Sequence, residues 1–62
     1  MTPKFKTDQV VIDKEDGRWV VVDVLFNTIK GNFVDEYWFS YSVVNSEEED
    51  NVFNEEDLTN GS

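Results

Sequence analysis

The chain contains no cysteine and no histidine among its 62 residues. Without cysteine it cannot form a disulfide or present a thiolate, and without either residue type it lacks the usual zinc ligands. The absence of histidine also removes the commonest general base, so Ser-His triads are excluded. Paired carboxylates need a cleft that shifts their pKa values apart, and a chain this short has little room for one. We therefore expect no metal, no cofactor and no catalytic activity.

Basic residues are scarce, since 5 Lys and Arg stand against 14 Asp and Glu, for a formal charge of −9. All five bases and five of the acids lie in residues 1–30, whereas residues 31–62 hold nine acids and no base. Nucleic acids and anionic membranes repel such a chain, so we expect direct binding to neither. The acids of the second half must be solvated or face a cationic partner.

Long apolar runs are also missing. The longest is Trp19 to Val22, and the first six residues lack the apolar stretch of a targeting signal. We therefore expect a soluble, cytoplasmic protein. The length allows one modest core, which we assign to a single domain at residues 1–58, followed by a disordered tail at residues 59–62.

Alternating apolar and polar residues, many of them β-branched or aromatic, predict β-strands. The predicted strands are Gln9 to Asp13, Arg18 to Asn27, Phe33 to Val44 and Val52 to Phe53. Gly17 is expected to take a positive φ in the first turn, and Lys30-Gly31-Asn32 anchors the second. Asn54 is expected to cap a helical turn at residues 55–57, after which Leu58 returns to the core.

Both long strands show two distinct faces. In the second strand, Val20, Val22, Val24 and Phe26 share one face and Trp19, Val21, Asp23 and Leu25 the other, so the strand should bend and contribute to two layers. In the third, Tyr37, Phe39, Tyr41 and Val43 alternate with Trp38, Ser40, Ser42 and Val44. Phe39 and Tyr41 are predicted to lie in the core, and the two serines indicate a partly solvated opposite face. Trp38 is the first candidate for an exposed contact residue, and Trp19 is the second.

These elements predict an all-β fold: a small, strongly bent antiparallel sheet or partly open barrel of four to five strands with one short C-terminal helical turn. The stretch Phe5-Lys6-Thr7-Asp8-Gln9-Val10-Val11 is similar to a Phe-x-x-Gly-Asp-x-Val opening, and Glu56-Asp57-Leu58 to an acidic-acidic-Leu turn. On these residues the chain resembles SH3-like small barrels of the Tudor and KOW type. Asp8 stands in place of that glycine, and aspartate tolerates the left-handed conformation. The resemblance implies a non-catalytic binding module.

The acidic residues of the second half, with Trp38, are the candidate partner-binding set: Asp35, Glu36, Trp38, Glu47, Glu48, Glu49, Asp50, Glu55, Glu56 and Asp57. In an extended segment, residues on the same side recur about every 6.6 to 6.8 Å, close to the phosphate spacing of a nucleic acid. Such carboxylates could imitate phosphates before the Lys and Arg of a nucleic-acid-binding protein. The alternative is a solvated loop that keeps the protein soluble.

The leading hypothesis is a non-enzymatic acidic protein-interaction module that binds a basic surface of a nucleic-acid-handling protein and inhibits or modulates it by mimicking DNA or RNA. In style of sequence the chain resembles small bacteriophage proteins that disable host polymerases, nucleases or defence proteins. One alternative is a Tudor-like aromatic reader or adaptor of a short peptide. Another is a structural or assembly protein that forms a homodimer or larger homo-oligomer.

Overall fold

The computed structural model describes residues 2–62 and confirms the all-β prediction. The elements in chain order are β1 (Val10–Ile12), β2 (Arg18–Ile29), β3 (Glu36–Val44), β4 (Asp50–Asn54), a 3₁₀ turn (Glu55–Asp57) and β5 (Thr59–Asn60). The five strands form one antiparallel sheet in the order β4-β3-β2-β1-β5. The sheet is open, with β4 and β5 at its two edges.

A β-bulge in β2 changes which of its residues face the core. Val21 pairs with Val43 and Asp23 pairs with Ser42, so Val22 is an extra residue without a partner on β3. Val21 is fully buried, whereas Val22 is 48% exposed. The predicted division of the strand into two uninterrupted faces is therefore wrong. Because of the extra residue, the core face of β2 changes from odd-numbered to even-numbered positions. Val21 and Val24 therefore lie on the same face of the sheet.

The core lies on one face of the bent sheet. It consists of Phe5, Val11, Val21, Tyr41, Val43 and Leu58, with Trp19, Val24, Phe39 and Phe53 packed against it. Tyr41 is fully buried as predicted, and Leu58 returns to the core as predicted, at 2% exposure. Trp19 packs against this core with its ring edge on Phe53 (centroid distance 5.5 Å), which is a structural role.

On the opposite face, Ser40 is buried, so the prediction that the serines lie on a partly solvated face is wrong at this position. Its hydroxyl accepts a hydrogen bond of 2.9 Å from Asn27 Nδ2, which satisfies it without water. The serine at this position is therefore explained by its hydrogen bond to a side chain on β2, not by exposure to solvent.

Aspartates take the left-handed conformation at both turns in the first 20 residues. Asp8 has φ 72° and Asp16 has φ 64°, and no glycine has a positive φ among the described residues. The expectation that Gly17 takes a positive φ is therefore wrong. Gly17 is suited to its position for another reason: a Cβ there would lie 2.6 Å from the Asp13 carboxylate.

Beyond the bulge, β2 and β3 continue as a two-stranded hairpin that we call the arm (residues 25–39). Within residues 2–62, only β3 pairs with residues 25–29, and only β2 pairs with residues 36–39. The tip is a loop at residues 30–35, so Phe33 (99% exposed) and Val34 lie in this loop and not in the predicted strand. The arm lengthens the molecule to 42 × 19 × 19 Å. Its radius of gyration is 12.6 Å, against about 11 Å expected for a compact chain of this length.

The C-terminal residues, predicted as a disordered tail, include β5. Thr59 pairs with Ile12 and Asn60 with Val11, and Gly61 N donates to Val10 O at 2.9 Å. The short segment is placed by the return of Leu58 to the core, which brings the following backbone alongside β1. No helix in the described part of the chain is long and apolar enough to cross a membrane.

The bulge predicts unequal effects of two neighbouring substitutions. Val21→Ala leaves a cavity in the core and should lower the free energy of unfolding by roughly 2 kcal/mol. Val22→Ala removes an exposed side chain and should change it by less than about 0.5 kcal/mol. Urea denaturation followed by tryptophan fluorescence measures both. Equal costs, or a larger cost at Val22, would contradict the position of the bulge.

Candidate functional site

A surface groove with a volume of about 530 Å³ lies where β4 ends and β3 continues into the arm. Four of the predicted partner-binding residues line it: Glu36, Trp38, Glu55 and Glu56. The remaining lining residues are Thr2, Lys4, Ile29, Tyr37, Phe39 and Asn54. The groove exists because β4 pairs only with Ser40–Val44, which leaves the edge of β3 uncovered from Glu36 to Phe39.

The buried hydroxyl of Tyr41 fixes one side of this groove. It donates to Glu55 Oε2 at 2.6 Å and accepts from the backbone N of Lys4 at 3.1 Å and of Phe5 at 3.3 Å. Lys4 N also donates to Glu55 Oε2 at 3.0 Å. Burial and the hydrogen bond to Glu55 raise the pKa of Tyr41 above 10.0, so its hydroxyl stays protonated at neutral pH. This network holds the N-terminal segment and the 3₁₀ turn against β3.

Trp38 lies on the opposite side of the groove and is half-buried. Its Nε1 donates to Asn54 Oδ1 at 3.2 Å. The predicted capping role of Asn54 is wrong, because its side chain makes no hydrogen bond to the backbone of the 3₁₀ turn. Asn54 instead orients the indole ring, which leaves Trp38 as a positioned aromatic surface beside three carboxylates.

The acids of the groove are not neutralised within the described residues. The one ion pair in residues 2–62 joins Lys14 Nζ to Asp57 Oδ1 at 3.4 Å, outside this groove. Lys4 is the only base among the described residues that line the groove, and its Nζ lies 5.8 Å from the centre of the Phe5 ring. The groove therefore offers the carboxylates of Glu36, Glu55 and Glu56 beside aromatic surface, which suits a cationic side chain.

Four of the other predicted acids lie at the far end of β3 from Glu36: Glu47, Glu48 and Glu49 in the β3–β4 loop, and Asp50 at the start of β4. Asp50 pairs with Val44, eight residues along β3 from Glu36, a distance of about 27 Å along the strand. The loop is not extended: Glu48 has φ 61°, and Asn45 Oδ1 accepts from the backbone N of both Glu47 and Glu49 at 3.0 Å. The prediction that the carboxylates of this run are spaced like phosphates needs an extended segment and is therefore wrong.

The other two predicted acids lie apart from these groups. Asp35 accepts a hydrogen bond from the hydroxyl of Tyr37 at 3.3 Å, where the tip loop of the arm joins β3. Asp57 lines a second groove of about 360 Å³ with its partner Lys14 and with Trp19. The ten predicted residues therefore do not form one continuous acidic surface.

In the second groove, Asp13 accepts three hydrogen bonds of 2.8 Å. The donors are Trp19 Nε1 and the backbone N of Glu15 and Gly17. The bond from Trp19, followed by that from Gly17, lowers the pKa of Asp13 below its ordinary value of 3.8. Asp13 therefore organises the β1–β2 turn and is committed to that structural role.

Sequence reasoning did not assign Lys4 and Asn54 to the groove, and it did not find the exposed arm. Lys4 and Asn54 enter through contacts across 37 and 16 residues, for which a strand pattern carries no information. The arm had a partial indication in the apolar pair Phe33-Val34, which directly follows the turn residues Lys30-Gly31-Asn32.

Comparisons of the chain with protein-family models, with curated proteins and with solved structures found no match. The geometry of the groove therefore carries the functional assignment.

Removing the Tyr41 hydroxyl should loosen the groove. Tyr41→Phe leaves the backbone N–H of Phe5 without its partner and should lower the free energy of unfolding by about 2 kcal/mol. Tyr37→Phe is the matched control, since it removes only the exposed hydrogen bond to Asp35 and should cost less than about 0.5 kcal/mol. Chemical denaturation of both variants tests this. Equal stabilities would show that the buried network contributes nothing.

Acid titration should report the Asp13 contact. The Trp19 indole N–H resonance should shift as Asp13 is protonated, with a midpoint below pH 3.8 because the hydrogen bonds favour the carboxylate. The stability from these bonds is present above pH 3.8 and is lost as the pH falls through the folded-state pKa. Proton–nitrogen NMR measures the midpoint. In Asp13→Asn the titration should vanish, and its persistence would assign the shift to another acid.

Proposed function

We propose that this chain is a non-enzymatic acidic protein-interaction module that binds a basic surface of another protein. The observation that carries the proposal is the groove that brings Trp38 together with Glu36, Glu55 and Glu56. The indole ring acts as an apolar anchor, and the carboxylates, none of which forms an ion pair within residues 2–62, receive Lys or Arg side chains of the partner.

The charge of the chain supports a nucleic-acid-handling protein as this partner. A net charge of −9 with no base after Lys30 favours fast, steered association with a strongly basic surface. Surfaces of that kind are typical of proteins that bind DNA or RNA. The module would occupy the basic surface and thereby inhibit or modulate the partner, as a polyanion mimic of the bacteriophage type. The acids of the groove, not those of the β3–β4 loop, would make the specific contacts.

We further propose that the domain belongs with SH3-like small barrels. Three observations support this resemblance: the strand order β4-β3-β2-β1-β5, the long bent β2, and the 3₁₀ turn between β4 and β5. The left-handed Asp8 adds to them, because it takes the conformation that the family's glycine would take there. The proposal is consistent with a binding role and leaves the ligand open.

A second candidate function is a Tudor-like reader of a short peptide. It is favoured by the presence of Trp38 in the same groove as three carboxylates. Aromatic rings with an acidic neighbour bind a methylated lysine or arginine by cation–π attraction. The two functions differ in salt dependence, because attraction between extended charged surfaces is screened far more strongly than an aromatic contact.

The test is affinity capture from extracts of the native host, followed by mass spectrometry and then by binding measurements with the purified protein recovered. Glu36→Gln/Glu56→Gln should lose the partner, since both side chains line the groove and are exposed. Glu47→Gln/Glu48→Gln removes the same charge from the distant loop and should retain it. Trp38→Ala should weaken binding by about tenfold or more, as expected of an aromatic anchor.

The identity and behaviour of the captured protein separate the two functions. For the leading proposal it should be basic, should dissociate as salt rises from about 0.05 to 0.5 M, and should be displaced by a DNA or RNA oligonucleotide. Binding that survives high salt but is lost in Trp38→Ala would favour the reader. Equal loss in the groove and loop variants would leave only a general charge effect and overturn the specific site.

A further inference from the structure

The edge of the arm opposite the groove is an open β-strand edge. Pairing of β1 with β2 ends at Val20, and the chain before β1 adds only the bonds of Asp8 and Gln9 to Val21, at 2.7 and 2.9 Å. Within residues 2–62, no strand pairs with residues 25–29 on this side. A two-stranded hairpin is marginal alone, and a third strand would stabilise it.

The direction of the backbone groups on this edge follows from the register. In an antiparallel ladder, alternate residues direct both N–H and C=O to the same side. Asn45 N donates to Glu49 O on the β4 side, and the register of β3 shows no irregularity from there to Tyr37. The backbone N–H and C=O groups of Tyr41, Phe39 and Tyr37 therefore point towards the β4 side of β3, away from β2.

The residues of β2 opposite these three are Val24, Phe26 and Thr28. Their backbone N–H and C=O groups therefore point away from β3. The N–H of Val24 is bound by Asp23 Oδ1 at 2.9 Å. Phe26 and Thr28 direct two N–H and two C=O groups into solvent, available to another strand.

The side chains of this edge do nothing to prevent pairing. Residues 24–29 read Val-Leu-Phe-Asn-Thr-Ile, without a charge, proline or glycine. Edge strands are ordinarily protected by such residues or by a covering element. Phe26 is 57% exposed and Ile29 is 55% exposed.

We propose that a second copy of this chain pairs with this edge, antiparallel, with Asn27 on the two-fold axis. This register sets Phe26 of each copy opposite Thr28 of the other. Each of these two pairs makes two backbone hydrogen bonds, so four form in total. On the other face, Leu25 lies opposite Ile29 of the second copy, so two apolar pairs form. The two arms become one four-stranded sheet in the order β3-β2-β2-β3.

A second copy can occupy this edge despite the charge of −9 on each chain, because the segment that pairs, residues 24–29, carries no charge. Asp35 and Glu36 lie at the β3 side of the arm, so the two β2 strands separate them from the same residues of the second copy. Three strand spacings are about 14 Å, beyond the screening length of about 10 Å at 0.1 M salt. The groove lies on the β3 edge of the arm and shares only Ile29 with the proposed dimer contact, so the dimer leaves Trp38 accessible. The remaining repulsion predicts tighter dimers at higher salt, the reverse of the salt effect proposed for the partner.

Sedimentation equilibrium from about 1 µM to about 1 mM protein, at low and high salt, tests the dimer. We expect a monomer–dimer equilibrium that tightens with salt. Ile29→Glu places a charge in the pairing edge and should weaken the dimer by about tenfold or more. Val34→Glu is the matched control, because it makes the same change at an exposed position in the tip loop and should leave the dimer intact.

Thr28→Pro tests the backbone contact, since it removes an N–H that points to solvent in the monomer, where an edge strand tolerates proline. Thr28→Pro should abolish the dimer while the circular dichroism spectrum stays unchanged. If Thr28→Pro unfolds the chain, the effect of Ile29→Glu on the dimer is the deciding test. In amide exchange, Phe26 and Thr28 should gain protection as concentration rises. A monomer throughout the range, or a dimer weakened equally by Val34→Glu and Ile29→Glu, would overturn the proposal.

Discussion

The extra residue at Val22 is the constraint on which the other features depend. Before it, β2 pairs with β1 and directs Trp19 and Val21 to the core; after it, the same strand directs Val24 inward and loses its β1 partner. A bulge increases local twist and bends the strand that carries it. One extra residue therefore changes which side chains of β2 face the core and bends the strand just before the arm.

The arm and the groove follow from this division because β1 and β4 each cover only part of the long hairpin. On the β1 side, Phe26 and Thr28 keep free backbone groups. On the β4 side, the uncovered edge of β3 becomes one wall of the groove, and the Tyr41–Glu55 hydrogen bond fixes the turn that forms the opposite wall. The two proposed contacts lie on different edges, share only Ile29 and respond oppositely to salt, so partner binding and self-association use largely different surfaces.

The strand content was predictable because alternation of side chains is a local property of the backbone. Residues 36–44 follow it without interruption, and the predicted burial of Tyr41 is confirmed there. The faces of β2 were not predictable, since Val-Val-Val at residues 20–22 contains no residue that marks an insertion. A bulge is selected by how the two neighbouring strands pair, and that information lies elsewhere in the chain.

The sequence by itself determined the all-β class, the lack of cysteine and histidine, and the concentration of acids after Lys30, because these depend on residue type and local period. Only the tertiary structure decided which acids line the same groove as Trp38. Glu36 and Glu55 lie 19 positions apart but line one groove, whereas the run at residues 47–50 lies at the other end of β3. Where an acid lies is set by strand register and strand length, and those are fixed by contacts between distant residues.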